Sequence, residues 1–515
     1  MRQYPDRRLG GVLALVVLCA VPVSWAFPPG ALQAAVPAED GPAVQVTRSA
    51  TIGRQKVDYT VTTGRLRVAD KTGKAEAGVF FIAYTRKTDA PPAARPLTFC
   101  FNGGPGSSSS YVHLAAFGPR CVSIGDDGTS IPQPYTLVDN YNSLLDVSDL
   151  VFIDPVSTGY SRAEKDEEAK LFHGVDEDAH SVGDFIRGYA DRYDRRASPA
   201  FIAGESYGTL RAAALAKYLQ DRGGVRLGGI LLISTVLDYA TISFGANNDL
   251  PYALFLPAYT ATALHHRKIA GDRDALLAEA EKFAQGPYAA ALKQGKDLPE
   301  VDRVVIAKGV ARYSGLSEEY VLKANLRVSA PAFRGELLRD AKEVIGRYDA
   351  RVKAKTGGGG GGKGGGFGDP SSALTSAPLA DCLKNYFAAD LGIKTELKYN
   401  SLARVNWNFG PSRGKATVVP RLREAMEKDG GLRVFVACGY CDLATPYSVA
   451  KYTLANLGGP ADLQGRITFG FYEGGHMMYT VRESHQKLKE DMARFITAPP
   501  LAPPPRAVES GRPVR

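Results

Sequence analysis

Phe201-Ile-Ala-Gly204-Glu205-Ser206-Tyr207-Gly208-Thr209 reads as a short apolar strand that breaks at G-x-S-x-G and runs on into a helix beginning near Leu210. A serine in that setting sits on a sharp strand-to-helix turn. Glycines on either side relieve crowding, and the hydroxyl is pushed out above the sheet edge. Ser206 is therefore the candidate nucleophile, provided the rest of the chain supplies a base, an acid and donors for a developing negative charge.

The flanking sequence has the alternation such a turn needs. Upstream, Val57-Asp-Tyr-Thr-Val-Thr, Arg65-Leu-Arg-Val and Val79-Phe-Phe-Ile-Ala-Tyr84 read as antiparallel strands opening a sheet. Pro96-Leu-Thr-Phe-Cys-Phe101 and Asp149-Leu-Val-Phe-Ile-Asp154 are buried-strand patterns, and a helical pattern covers 176–193. Downstream come a helix over 210–220 and the strand Gly229-Ile-Leu-Leu-Ile-Ser234. The pattern resumes late in the chain with Leu432-Arg-Val-Phe-Val-Ala437, a helix over 447–456, Ile467-Thr-Phe-Gly-Phe-Tyr472 and a last helix over 483–496. Strands alternating with helices predict an α/β protein with a mostly parallel central sheet and helices on both faces.

Between the two halves, residues 247–385 carry amphipathic helical stretches at 274–284, 300–313 and 336–353, with little strand signal. This block is expected to be a helical cap inserted over the site. The core is then divided into a first part, 46–246, and a second part, 386–498. Within the insertion, 357–368 is almost pure glycine and reads as a flexible loop. Residues 27–45 and the Pro-rich 499–515 read as a disordered leader and tail.

The 515 residues carry a formal net charge of +9. Arg2, Arg7 and Arg8, an apolar run from Val12 to Val23 and the small residues around Trp25 predict a secretory signal peptide over 1–26. Its removal leaves a net charge of +7. Export to the periplasm or medium is expected, with no stable membrane association. The remaining Lys and Arg are scattered among acids, with no basic stripe interleaved with aromatics, so nucleic acid is not an expected partner. Cys100, Cys121, Cys382, Cys438 and Cys441 remain after cleavage, and sequence alone cannot give their pairing. Cys438-Gly-Tyr-Cys441 lacks the second closely spaced pair that zinc would want. A local disulfide or two packed thiols is expected there, and neither metal nor cofactor is predicted.

A serine hydroxyl needs a base within hydrogen-bond reach and a third group to orient that base. Of the seven histidines, only His476, in Glu473-Gly-Gly-His-Met-Met, sits in a Gly-flanked loop just past a buried-strand pattern. Asp442 follows the strand ending at Ala437 and precedes His476 by one helix and one strand. The resulting order Ser206, Asp442, His476 is that of α/β-hydrolases. Asp154 and Asp238 also follow strands but lie too early, and capping or salt bridging is expected of them. The oxyanion hole draws one backbone N–H from Tyr207, after the nucleophile, and a second from the loop Asn102-Gly-Gly-Pro-Gly.

Asn102-Gly-Gly-Pro-Gly-Ser-Ser-Ser, Phe117-Gly-Pro, Asp154-Pro-Val-Ser-Thr-Gly-Tyr-Ser161, Gly204-Glu-Ser-Tyr-Gly and Gly475-His-Met together resemble the serine carboxypeptidase family over roughly residues 78–498. The resemblance implies an exopeptidase that removes C-terminal residues of peptides through an acyl-enzyme. Ser206, Asp442 and His476 would form its triad, and the N–H groups of Gly104 and Tyr207 its oxyanion hole. Asn102, the Gly103 amide and Glu205 would bind the terminal carboxylate of the substrate. Glu205 could donate to that carboxylate only when protonated, which implies best activity on the acid side of neutral.

The sequence also departs from the family pattern. Cys100 stands where the family has tryptophan, Ser107 where it has cysteine, and the second glutamate expected near Phe117 is missing around Ala116. These losses touch carboxylate selection rather than the triad. They leave an esterase or acyltransferase of the same fold as the alternative. A non-catalytic binding protein and an aminopeptidase are further readings, and the second has no use for Asn102 and Glu205.

Overall fold

The structure is a computed structural model in which residues 43–356, 369–393, 395–410 and 416–501 are described. All of them lie in a unit spanning Pro37–Arg515. The expected signal peptide, the glycine run 357–368 and the tail from 502 onward fall outside the described residues, as does the leader up to 42.

Three long strands open the chain, β1 (Val44–Ile52), β2 (Gln55–Ala69) and β3 (Glu76–Arg86), followed by β4 (Leu97–Phe101). A small hairpin of β5 (Arg120–Val122) and β6 (Leu137–Asp139) precedes β7 (Asp149–Ile153) and the short β8 (Arg162–Ala163). Then come β9 (Ala200–Glu205) and β10 (Leu227–Ile233). A second hairpin, β11 (Glu343–Ile345) and β12 (Lys353–Lys355), lies in the insertion, and the sheet resumes with β13 (Arg433–Gly439) and β14 (Ile467–Tyr472).

The main sheet runs β1-β2-β3-β7-β4-β9-β10-β13-β14, with β8 beside β3. It is antiparallel as far as the β3–β7 pair and parallel from β7 onward. β4 and β7 are fully buried, as is β9. Alternate residues of such strands feed opposite faces. Phe99, Val151, Ile202 and Leu232 pack with Val182 and Phe185 of α1 (Val175–Arg192) and Leu210 and Leu215 of α2 (Tyr207–Arg222). Their neighbours Cys100, Phe152, Ala203 and Leu231 pack on the other face, with Leu488, Met492 and Phe495 of the C-terminal helix Arg482–Thr497. This is the α/β-hydrolase fold.

Between β10 and β13 the chain is mainly helical, with α3 (Leu250–His265), α4 (Arg273–Phe283), α5 (Ala289–Gln294), α6 (Glu300–Ser314), α7 (Glu318–Lys323), α8 (Ala330–Glu336) and α9 (Pro370–Asn385).

Several sequence expectations are corrected. The helix read over 336–353 is instead a short 3-10 turn, Arg339–Ala341, followed by the β11–β12 hairpin. Glu343 pairs with Lys353 at 3.0 Å and with Lys355 at 3.2 Å across it. A Cβ on Gly346 would lie 2.3 Å from the Asp349 carbonyl, so the tight turn there excludes any other residue. The helix after the nucleophile starts at Tyr207, not Leu210, because the turn itself directs the chain into helical geometry. The first strand starts at Val44, inside the expected leader.

A π-helical turn, Tyr386–Asp390, leads into an extended segment bridged to three core loops through Gly159↔Asn400, Ser107↔Leu402 and Gly174↔Asn408. The five cysteines among the described residues are free thiols, all buried except the half-buried Cys121.

Candidate active site

The candidate residues sit just beyond the C-terminal ends of neighbouring strands: Asn102 after β4, Ser206 after β9, Asp442 after β13 and His476 after β14. In an open parallel sheet this edge is where helices and loops diverge and leave a crevice. Ser206 has φ 60° and ψ −129°, a conformation L-residues rarely adopt. It is held by its own N–H, which donates to the Ile233 carbonyl at 2.9 Å. The strained turn is the sharp elbow expected from G-x-S-x-G.

His476 Nδ1 lies 2.8 Å from Asp442 Oδ2, both side chains being buried. Asp442 Oδ1 accepts from the N–H groups of Ala444 at 2.7 Å and Thr445 at 3.0 Å, and Oδ2 also accepts from the Thr445 hydroxyl at 2.8 Å. Burial works against the Asp442 anion, but the facing imidazole and these donors outweigh it and hold the carboxyl below its usual range. For His476, burial disfavours the cation, yet the Asp442 charge and hydrogen bond and the more distant Glu205 raise its pKa above the ordinary value. This arrangement fixes Nδ1 as the protonated nitrogen facing Asp442 and leaves Nε2 to act as a base. Ser206 and His476 line the same cavity of about 460 Å³, and no hydrogen bond is formed between them among the described residues. Such contacts commonly close only when substrate is bound.

Asn102, Gly103, Gly104, Glu205 and Tyr207 line that cavity too. Asn102 Oδ1 accepts from the N–H groups of Tyr111 at 3.2 Å and Val112 at 3.1 Å, which orients its amide so that Nδ2 donates to Glu205 Oε1 at 2.7 Å. Burial pushes the Glu205 carboxyl up, against the lowering pull of His476, Tyr479 and Asn102. Gly103 packs directly on the elbow: a Cβ there would fall 2.4 Å from Tyr207 N and 2.5 Å from Gly208 N. All the candidate site residues but Asp442 thus line one cavity, and Asp442 reaches it through its bond to His476.

Sequence reasoning missed four groups. Tyr479 donates its hydroxyl to Glu205 Oε2 at 2.5 Å, and Thr445 links Asp442, His476 and the Ser234 carbonyl. Each lies three residues past a residue already singled out, which was the only available signal. Buried Arg211 donates to the Asn102 carbonyl at 2.7 Å and pairs with Asp178 at 2.7 Å. Tyr348 accepts the His476 N–H through its carbonyl at 2.5 Å. Asp154 was expected to cap or bridge, and it accepts from the Ser109 N–H at 2.8 Å and its hydroxyl at 2.9 Å. Burial raises its pKa to about 6.

The serine carboxypeptidase family model matches residues 53–255, which include the Asn102 loop and the Ser206 elbow. Over that stretch the chain is similar to the serine carboxypeptidase family. Among curated relatives, the pheromone-processing carboxypeptidase KEX1 of Saccharomyces cerevisiae is 32% identical over 146 residues, 27% of this chain and 19% of that protein. Serine carboxypeptidase-like 46 of Arabidopsis thaliana is 25% identical over 220 residues, 39% of this chain and 44% of that protein. The chain therefore spans less than half the length of these curated relatives. The crystal structure of a KEX1 prohormone-processing carboxypeptidase from Saccharomyces cerevisiae aligns over 85% of this chain and 91% of its own. Its TM-score is 0.50 at 17% identity, which is a likeness of fold.

Proposed function

We propose that this protein is a serine carboxypeptidase that hydrolyses peptides from a free C-terminus, with Ser206 as nucleophile, His476 as base and Asp442 as the group that orients the base. The observation that carries this reading is that His476, backed by Asp442, the strained Ser206 turn and the Asn102–Glu205 pair line one cavity. A triad alone serves any acyl transfer. A buried carboxyl hydrogen-bonded to an amide beside it gives a reason to recognise a terminal carboxylate.

In this mechanism His476 Nε2 takes the Ser206 proton as Oγ attacks the last peptide carbonyl, and Asp442 stabilises the imidazolium that forms. The N–H groups of Gly104 and Tyr207 receive the developing oxyanion. His476 then protonates the leaving amine, the C-terminal residue departs, and water hydrolyses the acyl-enzyme by the same steps in reverse. Asn102, the Gly103 amide and protonated Glu205 hold the substrate carboxylate, which sets the cut at the last bond. The insertion at 247–385 serves as a cap, and residues 1–26 as an export signal, so the working compartment is periplasmic or extracellular.

The test is a panel of peptides with free and amidated C-termini, assayed on wild type and Ser206→Ala. Release of the last residue from free-acid peptides alone, with turnover falling about a millionfold in the variant, is expected. Turnover of simple esters with no release from any free-acid peptide would replace this reading with an esterase or acyltransferase.

A further inference from the structure

The cavity holds one charged side chain that the mechanism leaves unused. Arg347 lines it at the mouth, exposed, next to Tyr348, whose ring lies 5.2 Å from that of His476. Its guanidinium rests on the Tyr348 ring at 5.3 Å. Among the described residues, no carboxylate lies within ion-pair distance of it. The acid beside it, Asp369, accepts the Arg347 backbone N–H at 2.9 Å, holds the Ser371 hydroxyl at 2.7 Å and faces Arg334 at 3.8 Å. The other charged cavity groups are already committed: Glu205 is buried against Asn102 and Tyr479, and His476 against Asp442.

The backbone holds this arginine firmly in place. Its carbonyl accepts from the N–H of Leu443, the residue after Asp442, at 3.0 Å, while the next carbonyl, Tyr348, accepts from His476 N–H. The stretch is therefore clamped to the loops bearing both the acid and the base of the triad. The wall beside it is polar, with Ser372, Thr375 and Ser376, and it runs on to Tyr111, whose N–H orients Asn102. That wall leads to the proposed carboxylate clamp and so borders the residue to be released. Asn102 and Glu205 are too deep for Arg347 to share the α-carboxylate, being 2% and 4% exposed against its position at the rim.

Resting on the carboxypeptidase reading, we infer that Arg347 receives an acidic side chain on the C-terminal residue of the substrate, so that the enzyme favours peptides ending in glutamate or aspartate. The guanidinium matches a carboxylate in a planar fork, and an unpaired cation at a cavity rim also draws anionic ligands toward it.

The experiment compares kcat/KM for N-blocked peptides identical except for a terminal Glu, Gln, Leu or Lys, at low and high salt, in wild type, Arg347→Gln and Arg347→Glu. Each ratio is internal to one variant, so partial loss of folded enzyme does not affect it. Wild type is expected to prefer Glu over Gln by about twofold to fivefold at low salt, the scale of one exposed ion pair, and less at high salt. Arg347→Gln should abolish that ratio, and Arg347→Glu should turn it toward Lys. Equal release of Glu and Gln by wild type, a ratio unmoved by either variant, or an acid preference that follows the penultimate residue instead would overturn the inference alone. Failure to release any residue from any peptide would overturn the peptidase reading along with it.

Discussion

Tyr479 and Glu205, 274 positions apart, share a hydrogen bond of 2.5 Å in which the phenol donates to the carboxyl that also accepts from Asn102. Nothing in the family resemblance assigns Tyr479 a part, yet it bears on the charge state of its partner. Its donation favours the Glu205 anion and so opposes the burial that raises the Glu205 pKa. Tyr479→Phe removes a donor to the anion, which lifts that pKa further. For free-acid peptides, the alkaline limb of kcat/KM is expected to move to higher pH in this variant. A limb unmoved or shifted to lower pH would mean that Glu205 does not govern it.

The two titrating groups of the cavity act in opposite senses. In the proposed mechanism catalysis needs His476 neutral, so the acid limb follows its raised pKa, and activity is lost as pH falls through that value. The proposed carboxylate binding needs Glu205 protonated, so activity is lost as pH rises through its raised pKa. Because each charge shifts the other, the limbs belong to the pair. Glu205→Gln keeps a donor at every pH and removes a charge that raises the His476 pKa. A pH–rate series should show the alkaline limb gone and the acid limb displaced downward, while simple ester substrates lack the alkaline limb even in wild type.

Gly103 is the point where the Asn102 loop touches the elbow. Gly103→Ala would put a methyl carbon 2.4 Å from Tyr207 N, and backbone on both sides leaves only displacement of the loop. A shift of about 1 Å in such a site costs on the order of a hundredfold in turnover. Steady-state kinetics should show that loss in kcat, with thermal unfolding much less affected.

Arg211 and Asp178 form a buried pair whose guanidinium also holds the Asn102 carbonyl. Removing one partner of such a pair leaves a buried charge alone and costs about 3–5 kcal/mol. Arg211→Leu is expected to lose that much in denaturant unfolding, and Asp178→Leu combined with Arg211→Leu distinctly less. Both should raise KM for free-acid peptides, because Asn102 loses its anchor either way.

The parallel half of the sheet was legible because fully buried strands announce themselves as unbroken apolar runs, as in Phe99, Val151 and Ile202. Ser206, Asp442 and His476 were legible because each ends such a run in a loop with turn chemistry. The β11–β12 hairpin was not, since its three-residue strands are too short to show a period, and Glu343-Val-Ile suits a helix face equally well. Tyr479, Thr445 and Arg211 were missed for a different reason. Their roles depend on partners brought together by folding, and a tyrosine or arginine in a helix or loop carries no local mark of what it will meet.

The segment at 347–350 joins the insertion to the catalytic loops at three main-chain points: Arg347 to Leu443, Tyr348 to His476 and Ala350 to Cys441. The imidazole therefore takes its bearings partly from a region that contributes no strand to the main sheet. A pared-down version of the protein, trimmed to its sheet and flanking helices, would keep all three residues of the proposed triad in its sequence but lose the scaffold that aims one of them.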